Sequence, residues 1–300
     1  MSKHNASLPT NTDNDLLAEQ GVQTLNINPL IVVEGGNDTL FIRCMLSEIN
    51  YSFKLESKGG WKNVYRFVDT WNKSPIISQD RKKYNQVVGI IDRDYHDVLN
   101  EISFPDNIIK TDLRDLEVIL FESDTALKKI FAKYGKETFN YPRKEKNQLD
   151  LDAIRNLIYQ KSLALGRIRY HKVLNKFDDF SINCVTDNGQ GLDGFFKDFN
   201  LDEDKLINLL NQRNRSVEKS IIASWIQDEV SLAPNLLCRG HDIILILVRA
   251  FRKHFNQLNT QQVSLDKIEQ DLLLAFPFTD FKNLSYAQEL FKKLNITLPS

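Results

Sequence analysis

Cysteine is scarce. Cys44, Cys184 and Cys238 are the only three in 300 residues, widely spaced and without a Cys-x-x-Cys pair, so neither a disulfide framework nor a zinc knuckle is supported. A reducing cytoplasm suits such a chain. Net charge is nearly absent as well: 39 Lys and Arg against 40 Asp and Glu leave a formal -1, which excludes the global basic signature of a protein that coats DNA regardless of sequence. Any contact with a polyanion has to be regional. The apolar run Ile243-Ile244-Leu245-Ile246-Leu247-Val248 falls far short of the roughly 20 residues that span a bilayer. Residues 1 to 28 are polar, without the basic-then-apolar order of an export signal, so neither export nor membrane insertion is expected. No Gly-x-x-x-x-Gly-Lys-Ser/Thr stretch occurs, and any dependence on ATP would have to come from a partner.

What is present is a globular composition, 42% hydrophobic and 26% charged, which argues against wholesale disorder and suffices for one core plus a second unit. Residues 1 to 28, rich in Asn, Thr, Ser and Asp, read as a flexible tail. From Pro29 the pattern predicts strand 30–34, a helix from Thr39 capped by Asn37 or Asp38, a strand over 51–55, and a helix opened by Gly59-Gly60. It continues with strand 86–92, a short helical turn over 95–99, strand 107–110, and a helix from Asp112 through Phe121. Such alternation predicts an α/β domain over 29–125 with a mainly parallel sheet flanked by helices. Helical patterns at 124–134, 149–164, 202–212, 217–228, 240–255, 264–275 and 285–294 predict a mostly α-helical C-terminal domain over 126–300. One strand is possible within 177–184, 142–147 reads as a charged linker, and 187–191 as a turn-rich break.

Two of the buried-strand patterns end on acids. Leu30-Ile31-Val32-Val33 runs into Glu34-Gly35-Gly36, and Val87-Val88-Gly89-Ile90-Ile91 into Asp92-Arg93-Asp94. Ligands of parallel sheets bind beyond the carboxyl ends of the strands, so Glu34, Asp92 and Asp94 could converge on one cation, Mg²⁺ by preference. The bland alternative pairs Glu34 with Arg93 or Lys58 and makes turn formers of Asp92 and Asp94. Lys58, before Gly59-Gly60, is a candidate to stabilise a phosphate that the glycine amides allow to approach, or else a solvated cation. Asp112 is expected to cap its helix. Asp115 and Glu117, two apart on it, cannot share a face, so at most one would point into a metal site. His241 reads as a helix-start hydrogen-bonding residue more than a ligand. Arg167, Arg169, His171 and Lys172, interleaved with Tyr170, could bind single-stranded nucleic acid, as could Arg249, Arg252, Lys253 and His254; solvated faces are the alternative for both.

A glutamate after the first strand and Asp-x-Asp after the third resemble the Toprim domain of topoisomerases, primases and nucleases of the overcoming-lysogenisation-defect type. Further stretches are similar to stand-alone Toprim proteins with a helical tail, the group that includes the toxin subunit of the PARIS anti-phage system. They are Lys58-Gly59-Gly60-Trp61-Lys62-Asn63-Val64, Thr111-Asp112-Leu113-Arg114-Asp115-Leu116-Glu117, Leu165-Gly166-Arg167-Ile168-Arg169 and Arg239-Gly240-His241-Asp242. The resemblance runs from about residue 30 to 250. It implies an endonuclease in which Glu34, Asp92 and Asp94 hold Mg²⁺ or Mn²⁺, with Asp38, Asp115 and Glu117 completing the surroundings and Glu34 relaying a proton. It also implies a toxin restrained by an ATPase partner, released on phage sensing to cleave host transfer RNA, and homodimeric once released. Two other readings stand beside it: a phosphatase with Asp92 as nucleophile, and a catalytically silent adaptor for the ATPase.

Overall fold

The computed structural model describes residues 28–74, 86–99, 102–135, 142–144, 148–182, 192–197, 199–255, 258–259 and 262–298. The expectations for 1–27, 145–147, 183–184 and 187–191 lie outside them. β1 (Leu30–Val33) is buried throughout, as four consecutive apolar residues require. The chain turns at Glu34-Gly35 and enters α1 (Gly36–Ser47), whose N-cap is Gly35 instead of Asn37 or Asp38. The Asp38 carboxylate, at the third helical position, reaches back and accepts the Gly35 amide at 2.9 Å. There follow β2 (Lys54–Ser57), α2 (Trp61–Lys73), β3 (Val87–Ile91), the single turn α3 (His96–Leu99) and β4 (Ile108–Lys110). All neighbours in the sheet are parallel, in the order β2-β1-β3-β4.

Because the order steps from β1 to β2 one way and back across β1 to β3 the other, right-handed crossovers put α1 and α2 on opposite faces. Alternation along the strands then divides the core. Leu30, Val32, Val87, Ile91 and Ile108 pack with Val64, Val68 and Trp71 of α2, while α1 buries Phe41, Ile42, Met45 and Leu46. Gly89, central in β3, is dictated by that packing. A Cβ there would lie 3.0 Å from Val64, 3.1 Å from Val68 and 3.2 Å from Ile108.

The rest is almost wholly helical: α4 (Leu116–Glu122), α5 (Asp124–Tyr134), α6 (Leu151–Leu174), the antiparallel pair β5 (Phe196–Lys197) and β6 (Asn200–Leu201), α7 (Glu203–Arg213), α8 (Lys219–Gln227), α9 (Pro234–Leu237), α10 (Gly240–Arg249), α11 (Leu265–Ala275), α12 (Phe278–Phe281) and α13 (Ser285–Lys293). α10 runs on as a π-helical stretch over Ala250–Phe255. No strand forms within 177–182. α6 continues ten residues past the expected end at 164, and Gly166 inside it makes room for α9, since a Cβ would lie 3.1 Å from the Leu237 carbonyl oxygen.

The chain divides into two compact units, and not at the expected boundary of 125. The sheet unit takes the chain up to Asp92, Ser103–Thr111 and everything from Phe281; the helical unit takes Arg93–Ile102 and Asp112–Asp280. α13 belongs to the sheet unit because its surroundings bond there. The Tyr51 hydroxyl donates to the Leu294 carbonyl at 2.9 Å, the Lys293 ammonium donates to the Asp106 carbonyl, and the Phe281 ring meets Phe41 edge-on at 5.6 Å.

Gly89→Leu should destabilise the chain by about 1–3 kcal/mol through overpacking beneath α2. A chemical denaturation midpoint equal to wild type would show that this contact is loose.

Candidate functional site

β1 is where the strand order reverses, with β2 on one side and β3 on the other. In open parallel sheets the crevice beyond the carboxyl ends of strands at such a reversal is the usual ligand site. Glu34 follows β1 and Asp92 follows β3, and the structure brings them together: Glu34 Oε1 accepts the Asp92 amide at 2.7 Å. The peptide of Glu34 is held as well, its carbonyl accepting the amides of Gly59 at 2.9 Å and Gly60 at 3.1 Å. Those two glycines sit at φ 74° and 104°, where a side chain is strained. The Gly-Gly pair therefore fixes the Glu34 peptide. It does not form the expected phosphate cradle, because both amides point at a carbonyl of the protein.

Lys58 also differs from expectation. Its ammonium lies 2.7 Å from Glu56 Oε2 and 4.2 Å above the Phe67 ring, an arrangement that serves the local surface. Arg93 pairs with Asp97 at 2.6 Å. Asp38, expected beside the ion, serves as the helix-start acid described above. Among the described residues no three His, Cys, Asp or Glu side chains group so as to hold a metal ion. A caged site of the zinc or calcium kind is thus not built there. Mg²⁺ asks less of a protein, one or two carboxylates with water and phosphate oxygens completing the octahedron; Glu34 and Asp92 are donors of that kind, and the bond that links them runs through the Asp92 backbone amide.

The remaining acids belong to the helical unit. Asp94 occupies the left-handed region at φ 42°, which Asp tolerates better than most residues. Its amide donates to the Arg114 carbonyl at 2.9 Å, and its Oδ1 lies 3.8 Å from the Arg114 guanidinium. Arg114 is buried, stacked 3.9 Å from the centre of the Tyr95 ring and donating to the Leu237 carbonyl at 2.5 Å. Tyr95 donates its hydroxyl to Leu237 O at 2.9 Å, and burial pushes the phenol up to about 12.

Asp115 proves to be the cap that Asp112 was expected to be. α4 starts at Leu116, one turn later than expected; Asp115 Oδ1 accepts the Val118 amide at 3.1 Å and Oδ2 accepts the Gly240 amide at 2.9 Å. One carboxylate thus satisfies the amino ends of both α4 and α10. Burial, followed by the charge of Glu117, pushes Asp115 above the ordinary carboxylate range. Both oxygens are bonded to backbone, which leaves Asp115 a structural acid. Glu117 is half-buried in the first turn of α4. Gly240 can be nothing but glycine here, since a Cβ would overlap Asp115 Oδ1.

Arg167, Arg169, His171 and Lys172 do not form a face for nucleic acid. The lengthened α6 packs against both α8 and α10, so cations on its inner side have found internal partners. Arg169 is buried and forks onto the fully buried Asp242, Nε to Oδ2 at 2.7 Å and Nη2 to Oδ1 at 3.0 Å. His171 stacks on Trp225 with Nε2 2.9 Å from Asp228, and Arg167 donates to the Ile226 carbonyl at 2.7 Å. Burial pushes the Lys172 ammonium down. In the second basic stretch Arg249 donates to the Phe196 carbonyl, Arg252 to that of Val263, and His254 stacks on Phe199 at 4.8 Å, while Lys253 is exposed. His241, at the start of α10, lies 3.2 Å from Glu269. No family model and no curated protein matches the chain.

Arg169→Met, which strands the Asp242 carboxylate in the core, should cost about 3–5 kcal/mol; a loss under about 1 kcal/mol in urea would show the pair to be peripheral. The hydrogen bond and charge of Glu269 raise His241 above 6.5. The stability this confers is complete below 6.5 and fades as pH rises through the folded value. Glu269→Gln should therefore lower Tm more near pH 6 than at about pH 8.5, and an equal loss at both would sink the coupling.

Proposed function

We propose that the chain is a divalent-metal-dependent endonuclease of Toprim type, with Glu34 and Asp92 holding Mg²⁺ or Mn²⁺ at the carboxyl ends of β1 and β3. The observation that carries this reading is the bond from the Asp92 amide to Glu34 Oε1, which joins two acids from distant parts of the chain at the reversal of strand order. The order of the acids, a glutamate after the first strand and Asp-x-Asp after the third, supports it further. A divalent ion, when bound, supplies a water activated at neutral pH and offsets charge gathering on a phosphate under in-line attack. Glu34, whose carbonyl and Oε1 both accept backbone amides, is the residue proposed to take the proton of the attacking water, the role the resemblance implies for the leading glutamate. Asp92 supplies the second carboxylate. Asp94 completes the sequence pattern, with its charge balanced by Arg114.

The shared motifs extend the proposal to biology: a toxin of an anti-phage abortive-infection system, restrained by an ATPase subunit, homodimeric on release, and cutting host transfer RNA. The formal charge of -1 supports a substrate that offers short unpaired loops over a long duplex. DNA cleavage is the nearest variant. A phosphatase is the second reading, because Asp92 directly after β3 is also where an aspartyl nucleophile would stand.

Glu34→Gln is the informative substitution, since glutamine retains an Oε1 acceptor for the Asp92 amide and loses only the charge. Expressed without a partner, wild type should create new RNA ends confined to transfer RNA anticodon loops, cleavage should stop in EDTA, and Glu34→Gln should cleave at least about 10²-fold more slowly. Full activity of Glu34→Gln, with phosphate trapped on Asp92, would replace the nuclease by the phosphatase.

A further inference from the structure

With most cations of the helical unit's basic stretches engaged by internal partners, a substrate of the proposed nuclease needs another surface, and the sheet unit carries one. α2 opens with Trp61-Lys62-Asn63-Val64-Tyr65-Arg66. Residues four apart on a helix lie in a row, so Trp61 and Tyr65 form an aromatic row and Lys62 and Arg66 a cationic row beside it. Val64, inward-facing, is fully buried; Lys62 and Arg66 are exposed, and Trp61 and Tyr65 half-buried. Phe104, also half-buried, widens the aromatic row, its ring edge-on to Trp61 at 6.1 Å and to Tyr65 at 6.0 Å. A lysine accompanies two of these rings: Lys62 Nζ lies 5.6 Å from Trp61, and Lys110 Nζ 6.0 Å from Phe104. The inner sides of the rings pack on the hydrophobic core, which holds them rigid at little entropic cost to a ligand.

We propose that the Trp61, Tyr65 and Phe104 surface, with Lys62, Arg66 and Lys110, binds the unpaired nucleotides of single-stranded RNA; this rests on the endonuclease reading above. Half-buried rings whose inner parts pack on the core are stacking platforms for bases, and adjoining ammonium and guanidinium groups match the phosphates of an extended strand in sign. At 5.6 Å the contact of Lys62 with the Trp61 ring is loose, so a phosphate draws the ammonium aside while a base takes the ring. The surface also adjoins the candidate site within one unit. Trp61 directly follows Gly60, whose amide is bonded to the carbonyl of Glu34.

The test is binding of a fluorescein-labelled single-stranded RNA of about ten nucleotides, and of the same RNA as a duplex, to full-length protein in EDTA, where no cleavage intervenes. Trp71 and Trp225 are buried and Trp61 half-buried, so the part of the intrinsic-fluorescence quenching that Trp61→Phe removes reports on Trp61. Wild type should bind the single strand at least about tenfold more tightly than the duplex. Trp61→Ala should weaken binding about tenfold and Trp61→Phe about twofold, as ring area falls. Lys62→Ala, at an exposed position that leaves folding intact, should weaken binding and reduce the log–log salt slope by roughly 0.7. Wild-type affinity in both Trp61→Ala and Lys62→Ala, or equal binding of the duplex, overturns the proposal. Because binding is read without metal, it can fail while Glu34-dependent cleavage stands, and it can succeed where that cleavage fails.

Discussion

A carboxylate at the end of a buried strand must be held, and Glu34 is held by the amide of Asp92. That one bond ties the carboxyl end of β1 to that of β3 at the place where the sheet changes direction. It depends in turn on the two glycines that grip the Glu34 carbonyl and on Gly89, which lets α2 lie close enough for the Gly59-Gly60 turn to reach β1. Backbone, packing and acid are parts of one arrangement. A side chain at any of the three glycines would disturb the position of a carboxylate it never touches.

The helical unit follows a different logic. Its motifs of charged residues are there to satisfy the interior. Asp242 is fully buried and would be untenable without the fork of Arg169; Arg114 is buried and shares Tyr95, Asp94 and the Leu237 carbonyl. Such paired polar groups add little net stability but specify which helix lies against which, since any other pairing leaves a charge stranded. The stretches Leu-Gly-Arg-Ile-Arg and Arg-Gly-His-Asp, far apart in the chain, are the two halves of one such joint.

Much of this was legible beforehand, and the misses share a cause. Apolar runs ending on Glu34 and Asp92 announced both the strands and their meeting, because parallel strands deliver their ends to one edge. Helices were legible from periodicity, but periodicity says nothing about which layer a helix joins, and α13 returned to the sheet unit. Its charge alone makes Arg169 resemble a surface residue. Yet Ile158, Ser162, Leu165 and Arg169 are spaced four, three and four apart along one stripe, all buried, so the stripe itself marked the arginine as internal. Asp112 and Asp115 are equally good caps by type; only the amide of Gly240, supplied by a remote part of the chain, decides for Asp115. The aromatic and basic rows of α2 were written in the chain as well, concealed by a Gly-Gly turn that drew attention to its own amides.

The shared cap at Asp115 has a further consequence for how the helical unit comes apart. Fraying at the amino end of either α4 or α10 removes a bond from the carboxylate that also secures the other, which couples the two openings. Loosening one end would then speed hydrogen exchange at the other, from Val118 to Gly240 and back, like two doors hung on one hinge pin.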